Sequence, residues 1–440
     1  MYLKSTISIF GLGKLGAPIA AACAKQGFKI IGVDINNDNI KSVNQGKAHI
    51  NEPLYKDYLI KYKKNIHATL DYNDAIIKSS ISFIIVPTPS LPGGGFTNSF
   101  VISALKKIGA SLKQKKEFHV VAIVSTVMPG SLQKDILPII EKTSGKISGK
   151  DFGICYNPSF VALGNVISNF LNPDFVLIGS SDLKSSKIMS NFYNKICLNN
   201  PKIITMNHVN AEITKIALNT FITTKISYAN MLSELCEKIP GANIDTITHA
   251  LGNDSRIGNK YLKGGPSYGG PCFPRDNKAL IYTGNRYKTK ISLAYATDKI
   301  NSHQFRRIYN LIISKVKPKD KIAIIGIAYR NNTDVIDESL GLKLAQLLIK
   351  NKRPVTIYDP QAENNAKKIF GNRVKYVNSI KECIDNHPLS VITLPFKEIN
   401  SIQINKKRKP ILIDCWRIIK SVDIINNIKY YPIGIGLNKI

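Results

Sequence analysis

The sequence predicts an α/β protein with two Rossmann-like, doubly wound domains joined by a long central helix. Three observations support this fold. A dinucleotide-binding fingerprint follows the first apolar segment, a helical pattern of about 30 residues crosses the middle of the chain, and a second alternation of strands and helices begins near residue 319. A chain of 440 residues is also too long for one hydrophobic core. We therefore expect a dinucleotide-binding domain at residues 1–205, a central helical domain at 206–318 and a second Rossmann-like domain at 319–440.

The first Rossmann-like unit opens with an apolar segment at residues 5–10, which predicts a buried strand. A glycine fingerprint, a helix of small residues and a second strand at residues 29–33 follow. In this arrangement one glycine makes the turn, one lets a pyrophosphate approach the backbone, and one lets helix and strand pack. A carboxylate after the second strand would accept hydrogen bonds from a ribose and repel a 2′-phosphate, which favours NAD over NADP. A glycine-rich turn without a ligand is the alternative. The predicted cofactor contacts are Gly11, Gly13, Lys14, Leu15, Gly16 and Asp34.

Further apolar segments in the first domain predict strands at residues 81–86, 120–124, 150–156 and 175–179. Ligands of doubly wound sheets lie beyond the carboxyl ends of the strands. Residues at these ends are therefore candidate cofactor or substrate contacts, although ordinary strand-end turns explain them equally well. They are Pro87, Thr88, Ser125 and Thr126, and the strand at residues 150–156 ends in Asn157-Pro158-Ser159-Phe160.

The central helical pattern runs from Asn207, a suitable N-cap, to about Ile239. Such a helix would span about 45 Å, and its surplus apolar face suggests a dimer interface. Glu212, Lys215 and Asn219 form a polar stripe along it. They are either a surface Glu–Lys pair or a lysine and an asparagine directed at an active site.

A loop rich in glycine and proline, residues 263–276, contains Cys272. Pro274 suits the first turn of a helix, so Cys272 is expected at a helix N-terminus, where the partial positive charge favours the thiolate. Asp276 lies one turn further along the same face, within reach as an acid or base. An inert core cysteine is the alternative. Together with NAD, a nucleophilic cysteine indicates oxidation at the aldehyde level through a thioester.

The alternation that begins near residue 319 predicts strands at residues 321–325, 354–358, 390–394 and 411–413 and a helix at 338–350. Only Gly326 of a glycine fingerprint is present, so this domain suits a single nucleotide better than a dinucleotide. Tyr329 could contact a flat ring and Arg330 a phosphate, and Arg417 is a further anion-binding candidate.

The chain is strongly basic, with 61 Lys and Arg against 30 Asp and Glu and a formal net charge of +31. Such a balance is typical of nucleic-acid binding. The lysines are however spread along the chain among many Asn and Ile, all with A/T-rich codons, and an anionic small substrate fits equally well. The densest cluster, residues 406–409, is typical of a solvated turn. We therefore expect no nucleic-acid partner.

Hydropathy and cysteine usage indicate a cytoplasmic protein. No apolar run reaches the ~18 residues of a membrane span, and the first residues lead directly into a strand without a signal peptide. The seven cysteines are scattered and show no C-x-x-C spacing, which predicts reduced thiols and neither a disulfide framework nor a metal site.

Several motifs together resemble the UDP-glucose 6-dehydrogenases and their nucleotide-sugar relatives, over nearly the whole chain. They are Gly11-x-Gly13-x-x-Gly16, Ser125-Thr126-Val127-x-Pro129-Gly130, Asn157-Pro158-x-Phe160, Ala211-Glu212-x-Thr214-Lys215-x-Ala217-x-Asn219, Ser255-Arg256-Ile257-Gly258-x-Lys260-Tyr261-Leu262-Lys263 and Gly269-Gly270-Pro271-Cys272-Phe273-Pro274-Arg275-Asp276. The resemblance implies a four-electron oxidation of a sugar C6 alcohol to a carboxylate with two NAD.

The resemblance also implies roles for individual residues. Cys272 would attack the C6 aldehyde, Lys215 and Asn219 would hold the developing oxyanion, and Asp276 and Thr126 would relay protons through a water. Arg256 would reach the substrate of a neighbouring subunit, which makes the site depend on a homodimer. The remaining substrate contacts would be Ser159, Phe160, Tyr261, Lys263 and Gly269 around the sugar and Tyr329, Arg330 and Arg417 around the uridine diphosphate.

Two positions depart from the family pattern. Ser159 and Leu163 stand where the family usually has glutamates, the first of which assists thioester hydrolysis. Either Asp276 suffices alone or release of the acid is slow. UDP-glucose is the expected substrate, with GDP-mannose or a UDP-N-acetylhexosamine as alternatives. Two rival functions are a 3-hydroxyacid or 6-phosphogluconate type dehydrogenase, which needs no cysteine, and a non-catalytic nucleotide-sugar-binding homologue.

Overall fold

The computed structural model describes residues 6–404 and 409–437. The chain divides into two compact units, Met1–Ile216 and Ala217–Ile440. Residues 217–318 of the predicted central domain and the whole predicted third domain therefore lie in one unit, and the boundary between units falls within the long central helix. Residue 5 of the first predicted strand and the basic residues Lys406, Lys407 and Arg408 lie outside the described residues.

The first unit is built on one large sheet. Its described strands are β1 (Thr6–Phe10), β2 (Lys29–Val33), β3 (Ile66–Thr69), β4 (Ile81–Ile84), β5 (Val120–Ile123), β6 (Gly153–Tyr156), β7 (Phe175–Ser180) and β8 (Lys202–Met206). Their order is β3-β2-β1-β4-β5-β6-β7-β8, and every neighbouring pair is parallel except β6 and β7. The first six strands thus have the Rossmann order, with the reversal beside β1.

Helices cover this sheet and bury an apolar cluster on each of its faces. They are α1 (Gly16–Lys25), α2 (Asn37–Gln45), α3 (Tyr55–Lys61), α4 (Tyr72–Lys78), α5 (Ser99–Leu112), α6 (Leu137–Ser144), α7 (Val166–Leu171), α8 (Leu183–Ile196) and the start of α9 (His208–Cys236). Asn36, Asp71 and Asp182 cap α2, α4 and α8 by accepting hydrogen bonds from first-turn N–H groups. A 3₁₀ turn (Lys63–Asn65) and a π turn (Leu132–Ile136) complete the unit.

The second unit combines helices with a smaller sheet. After α9 come α10 (Ile244–Asn253), α11 (Phe273–Arg286), α12 (Ser292–Ser314), α13 (Leu340–Lys350), α14 (Glu363–Phe370), α15 (Ile380–Asn386) and α16 (Val422–Asn426). The described strands are β9 (Ile322–Ile325), β10 (Val355–Tyr358), β11 (Lys375–Tyr376), β12 (Leu389–Ile392), β13 (Ile411–Asp414) and β14 (Lys429–Pro432). They are all parallel in the order β11-β10-β9-β12-β13-β14, a second Rossmann arrangement, which confirms the predicted fold class.

Within the second unit, the segment after β14 returns to the connection between α9 and α10. The N–H of Gly241 donates to the carbonyl of Gly436 at 2.9 Å, and the N–H of Ile244 donates to that of Gly434 at 3.0 Å. Glu237 near the end of α9 accepts the N–H of Gly434 at 2.7 Å and pairs with Arg307 of α12. The helices that carry the cysteine loop are thereby fastened to the smaller sheet. Among the described residues, every helix is too short or too polar to cross a lipid bilayer.

Candidate active site

The glycine loop between β1 and α1 is tightly packed at two positions and open at the third. Gly11 has φ 98° and donates its N–H to Val33 at 2.7 Å, and a Cβ on Gly16 would lie 1.9 Å from the carbonyl oxygen of Gly11. A Cβ on Gly13, which is exposed, would meet no heavy atom within 4 Å. The loop therefore needs glycine at two positions for its own packing, while Gly13 leaves space for a ligand against the backbone.

Asp34 follows β2 beside this loop. Its carboxylate accepts the N–H of Leu12 at 2.6 Å and that of Asn36 at 2.8 Å, and Asn39 donates its side-chain amide at 3.3 Å. Asp34 remains partly exposed, and α1 starts without a side-chain cap, with Leu15 as its N-cap and Lys14 exposed beside it. Open N–H groups at a helix N-terminus bind phosphate, and an accessible carboxylate binds a ribose, so these residues fit a dinucleotide.

The ends of β4 and β5 are brought together as the sequence predicts. The Thr88 hydroxyl donates to the Thr126 carbonyl oxygen at 2.7 Å, and the Ser125 hydroxyl donates to the Val86 carbonyl oxygen at 2.6 Å. Pro87 is exposed and Thr126 is partly exposed at this edge. The hydroxyls of Thr88 and Ser125 thus hold the two turns in register, and Thr126 is the more accessible of the predicted hydroxyl contacts.

Glu212 is buried, so the interpretation of Glu212 and Lys215 as a surface pair is wrong. Its carboxylate accepts the backbone N–H groups of Gly130 at 2.6 Å and Leu132 at 2.8 Å, in the turn that follows Thr126. Burial raises the pKa of Glu212 from 4.5 to about 7, against the lowering effect of these two donors. The carboxylate fastens the turn after β5 to the start of α9.

Lys215 is 9% exposed and contacts the segment after β6. Its Nζ donates to the carbonyl oxygen of Ser159 at 2.7 Å and lies 4.7 Å from the centre of the Phe160 ring. The Ser159 hydroxyl is buried and has no hydrogen-bond partner in the described part of the chain, while Leu163 packs against the apolar core. The structure thus brings together Lys215, Ser159 and Phe160, with no carboxylate at position 159 or 163.

Cys272 is exposed, whereas the other six cysteines are buried. It is the N-cap residue of α11, and Pro274 occupies the first turn, as the sequence predicts. The Asp276 N–H donates to the Cys272 carbonyl oxygen at 2.8 Å, and the Asn219 side-chain amide donates to the buried Asp276 carboxylate at 2.6 Å. A reactive thiol at an accessible helix N-terminus, with an oriented carboxylate one turn away, suits covalent catalysis at a carbonyl carbon.

Buried amides of α9 and α12 hold the loop before Cys272, and sequence reasoning did not find them. Asn230 accepts the N–H of Gly265 at 2.7 Å, Gln304 donates to the Gly265 carbonyl oxygen, and Asn301 accepts the N–H of Tyr268 at 2.8 Å. Isolated Asn and Gln in a helical pattern carry no motif, so the only signal was their polarity at positions facing the core.

The second half of this loop packs against the segment that follows β9. The N–H of Gly270 donates to the Asp337 carbonyl oxygen at 2.9 Å, and a Cβ on Gly269 would lie 2.3 Å from the Glu338 carbonyl oxygen. A Cβ on Gly270 would lie 2.5 Å from the Tyr329 ring. Tyr329 therefore packs against the cysteine loop at Gly270, and Arg330, the next residue in the chain, is half-buried.

The other predicted substrate residues lie around the start of the cysteine loop or outside it. Tyr261 has φ 63° and its ring packs edge-on against Phe273, and Lys263 lies 5.9 Å from the Trp416 ring. Arg256 is different because its side chain is 86% exposed and contacts Asp254 of the same turn. The structure thus brings the first two residues to the loop and leaves Arg256 at the surface.

Arg417 occupies an enclosed position with its side chain 5% exposed. Its guanidinium donates to both carboxylate oxygens of Asp245, each at 2.8 Å, and to the carbonyl oxygens of Gly264 at 2.6 Å and Ile433 at 2.7 Å. The structure therefore surrounds this predicted phosphate ligand with protein acceptors.

The acidic residue after the second strand of each Rossmann arrangement is accessible in the first unit and buried in the second. Asp359, after β10, is buried, and its carboxylate accepts four backbone N–H groups, those of Ile327, Ala328, Gln361 and Ala362 at 2.8 to 3.0 Å. A carboxylate has about four acceptor positions, so little capacity remains for a ribose. Asp34 is the accessible counterpart, which agrees with a dinucleotide in the first unit alone.

Comparison with protein-family models matches three segments to the UDP-glucose/GDP-mannose dehydrogenase family. Residues 5–197 match its NAD binding domain, residues 209–303 its central domain and residues 323–421 its UDP binding domain. Each matched segment falls inside one of the three domains that the sequence predicts.

Individual relatives cover nearly the whole chain. UDP-glucose 6-dehydrogenase AglM of Haloferax volcanii is 31% identical over 94% of this chain and 97% of its own length. GDP-mannose 6-dehydrogenase of Pseudomonas aeruginosa is 29% identical over 85% of both chains. The structure of a UDP-glucose dehydrogenase from Pyrobaculum islandicum, 25% identical, superposes with a TM-score of 0.89 over 98% of each chain.

Proposed function

The chain belongs to the UDP-glucose/GDP-mannose dehydrogenase family and is an NAD-dependent nucleotide-sugar dehydrogenase, and from this premise we propose that it oxidises UDP-glucose at C6 to UDP-glucuronate. The observation that carries the proposal is the exposed Cys272 at the start of α11, with Asp276 held by Asn219. Such a thiol retains an aldehyde covalently until its second oxidation.

In the first oxidation the C6 alcohol becomes an aldehyde. When held by the glycine loop at residues 11–16 and by Asp34, NAD would supply the hydride acceptor for each oxidation. The hydroxyl proton passes through a water to Asp276, with Thr126 in the same relay. Asp276 suits a proton acceptor because its orientation is already fixed by the 2.6 Å hydrogen bond from Asn219.

In the second oxidation the Cys272 thiolate adds to the aldehyde carbon and forms a thiohemiacetal. The oxygen gains negative charge, which Lys215 and Asn219 stabilise as hydrogen-bond donors. Loss of hydride from C6 then yields a thioester. Water attacks this thioester, the C–S bond breaks, and the carboxylate leaves as Cys272 regains its thiolate. The support for Lys215 is its enclosed ammonium group beside Ser159.

Hydrolysis is the step at which this chain differs from its family's usual pattern. Ser159 and Leu163 offer no carboxylate to activate the water, so Asp276 acts as the only base and the acyl-enzyme accumulates. Rapid-quench mass spectrometry during turnover would find a population of Cys272 carrying the acyl group. An unmodified Cys272 throughout turnover would contradict this part of the proposal.

We propose that uridine diphosphate binds beyond β9 and β13, where Tyr329 and Arg330 contact it, and that Tyr261, Lys263, Gly269, Ser159 and Phe160 surround the sugar. The decisive assay measures NADH formed per mole of UDP-glucose, GDP-mannose and a UDP-N-acetylhexosamine. Two NADH per mole of UDP-glucose, with little from the others, is the expected result. Two NADH from another sugar nucleotide would reassign the substrate, and none from any would remove the enzymatic proposal.

We also propose that the active form is a cytoplasmic homodimer formed along α9. Phe221, Tyr228, Met231 and Leu235 recur on one face of this helix and are 46 to 64% exposed, an apolar stripe that water disfavours. A second copy would cover it, and the exposed Arg256 would contact the partner's substrate. Light scattering of the wild type and of Met231→Glu tests the interface. A monomeric, fully active wild type would refute it.

A further inference from the structure

The guanidinium of Arg417 is held in a way that does not suit binding of a phosphate. Its five N–H groups point at five protein acceptors, since Nη1 also reaches the Cys415 carbonyl oxygen at 3.5 Å. A diphosphate would have to displace Asp245, whose carboxylate would then stand beside the phosphate and repel it. The 5% exposure of the Arg417 side chain leaves little surface for a second ligand.

The backbone around Arg417 directs the side chain inward. Arg417 has φ 57°, a conformation that costs a residue with a side chain about 1 kcal/mol or more. Asp414, fully buried at the end of β13, maintains it by accepting the N–H groups of Trp416, Arg417, Ile418 and Ile419. This network fixes the turn and points the guanidinium at Asp245 of α10.

The acceptor that connects Arg417 to the chemistry is the carbonyl of Gly264, in the loop that leads to Cys272. Gly265 lies against the neighbouring Trp416, where an added Cβ would be 3.6 Å from the ring. The same guanidinium therefore touches α10, the cysteine loop and the segment after β14, three parts of the second unit that are distant in sequence.

We propose that Arg417, through its paired contact with Asp245, is a positioning residue that sets the conformation of the Cys272 loop. Loss of either partner releases the Gly264 carbonyl and lets the loop shift, and a displacement of about 1 Å can cost roughly 10²-fold in rate. The turnover part of this inference rests on the proposed function, whereas the effect on the loop itself does not.

The test uses Asp245→Asn, Arg417→Lys and the double variant of the full-length protein. Alkylation of Cys272 by iodoacetamide, followed by mass spectrometry, reports the loop without turnover, because the other cysteines are buried. Calorimetric titration with UDP reports nucleotide binding. We expect each single variant to change the alkylation rate by about tenfold, the double variant to change it no further, and the UDP affinity to stay within about threefold.

A positioning role and a phosphate-binding role for Arg417 predict different UDP affinities for Asp245→Asn. If Arg417 bound phosphate, Asp245→Asn would remove a competing carboxylate and tighten UDP binding, with unchanged alkylation of Cys272. That outcome, or unchanged alkylation in both single variants, would overturn the proposal. If Arg417→Lys fails to fold, Asp245→Asn still decides, since Asp245 is 42% exposed and tolerates an isosteric amide. A wild type that alkylates normally but makes no NADH would refute the proposed function alone.

Discussion

Replacing Glu212 by Gln should make the first unit more stable relative to wild type as the pH rises. Burial raises the pKa of Glu212 from 4.5 to about 7, so between these values the folded protein binds more protons than the unfolded chain. Wild-type stability therefore falls across this window as the pH increases. Gln resembles the protonated glutamate, carries no charge at any pH, and removes this loss.

The size of the effect follows from the same shift. One pKa unit corresponds to 1.36 kcal/mol, so a shift from 4.5 to about 7 corresponds to about 3 kcal/mol between low and high pH. For a folding unit the size of Met1–Ile216, 1 kcal/mol moves the Tm by roughly 2 to 4 °C. The Tm of Glu212→Gln minus that of wild type should thus rise by roughly 6 to 12 °C from about pH 4.5 to about pH 8.

The measurement is thermal unfolding of both proteins in a series of buffers across this range. Groups such as His119, whose pKa burial lowers to about 3, titrate in both proteins and cancel in the difference. Glu141→Gln is the matched control, because this partly exposed glutamate also accepts a backbone N–H, that of Ser148 at 3.0 Å. A Tm difference for Glu212→Gln that is constant with pH, or that falls as pH rises, would refute the reasoning.

Three further predictions concern catalysis and the cofactor. Lys215→Ala should lower kcat by about 10²- to 10³-fold, the usual cost of losing one oxyanion donor. The control is Lys238→Ala, which changes an exposed lysine just beyond the same helix and should leave kcat unchanged. Equal kcat values for Lys215→Ala and wild type would exclude Lys215 from the chemistry. Gly13→Ala should keep the wild-type Tm and weaken NAD binding in calorimetry, whereas Gly16→Ala should destabilise the unit, since its Cβ would lie 1.9 Å from a carbonyl oxygen. The expectation fails if Gly13→Ala binds NAD normally. Ser159→Glu should reduce the acyl-enzyme seen by rapid-quench mass spectrometry, and an undiminished population would argue against hydrolysis as the affected step.

The strands that sequence patterns predicted and those they missed differ in their place in the sheets. Interior parallel strands are covered on both faces, so β1, β4, β5, β9 and β12 are almost entirely buried and mostly apolar. In the described part of the chain, four strands were not predicted, β3, β8, β11 and β14, and they are the outer strands of the two sheets. Buried and more exposed residues alternate in β3, whereas the residues of β8, β11 and β14 are mostly exposed or partly exposed, and short polar-containing segments of this kind resemble loops.

What the sequence determined by itself is local. The glycine spacing of residues 11–16, the thiol before Pro274 and the carboxylate of Asp276 each depend on backbone geometry within one or two turns, and a short stretch of chain encodes that geometry.

Only the tertiary structure decided how the polar residues are paired. Glu212 meets the N–H of Gly130, and Arg417 meets Asp245, across separations of 82 and 172 residues. No periodicity records such partners, because the free energy that selects them comes from satisfying buried charges and N–H groups once distant segments have packed together. A carboxylate for which a surface pair was one of two interpretations is thus a buried anchor, and an arginine expected to bind phosphate is enclosed by protein acceptors.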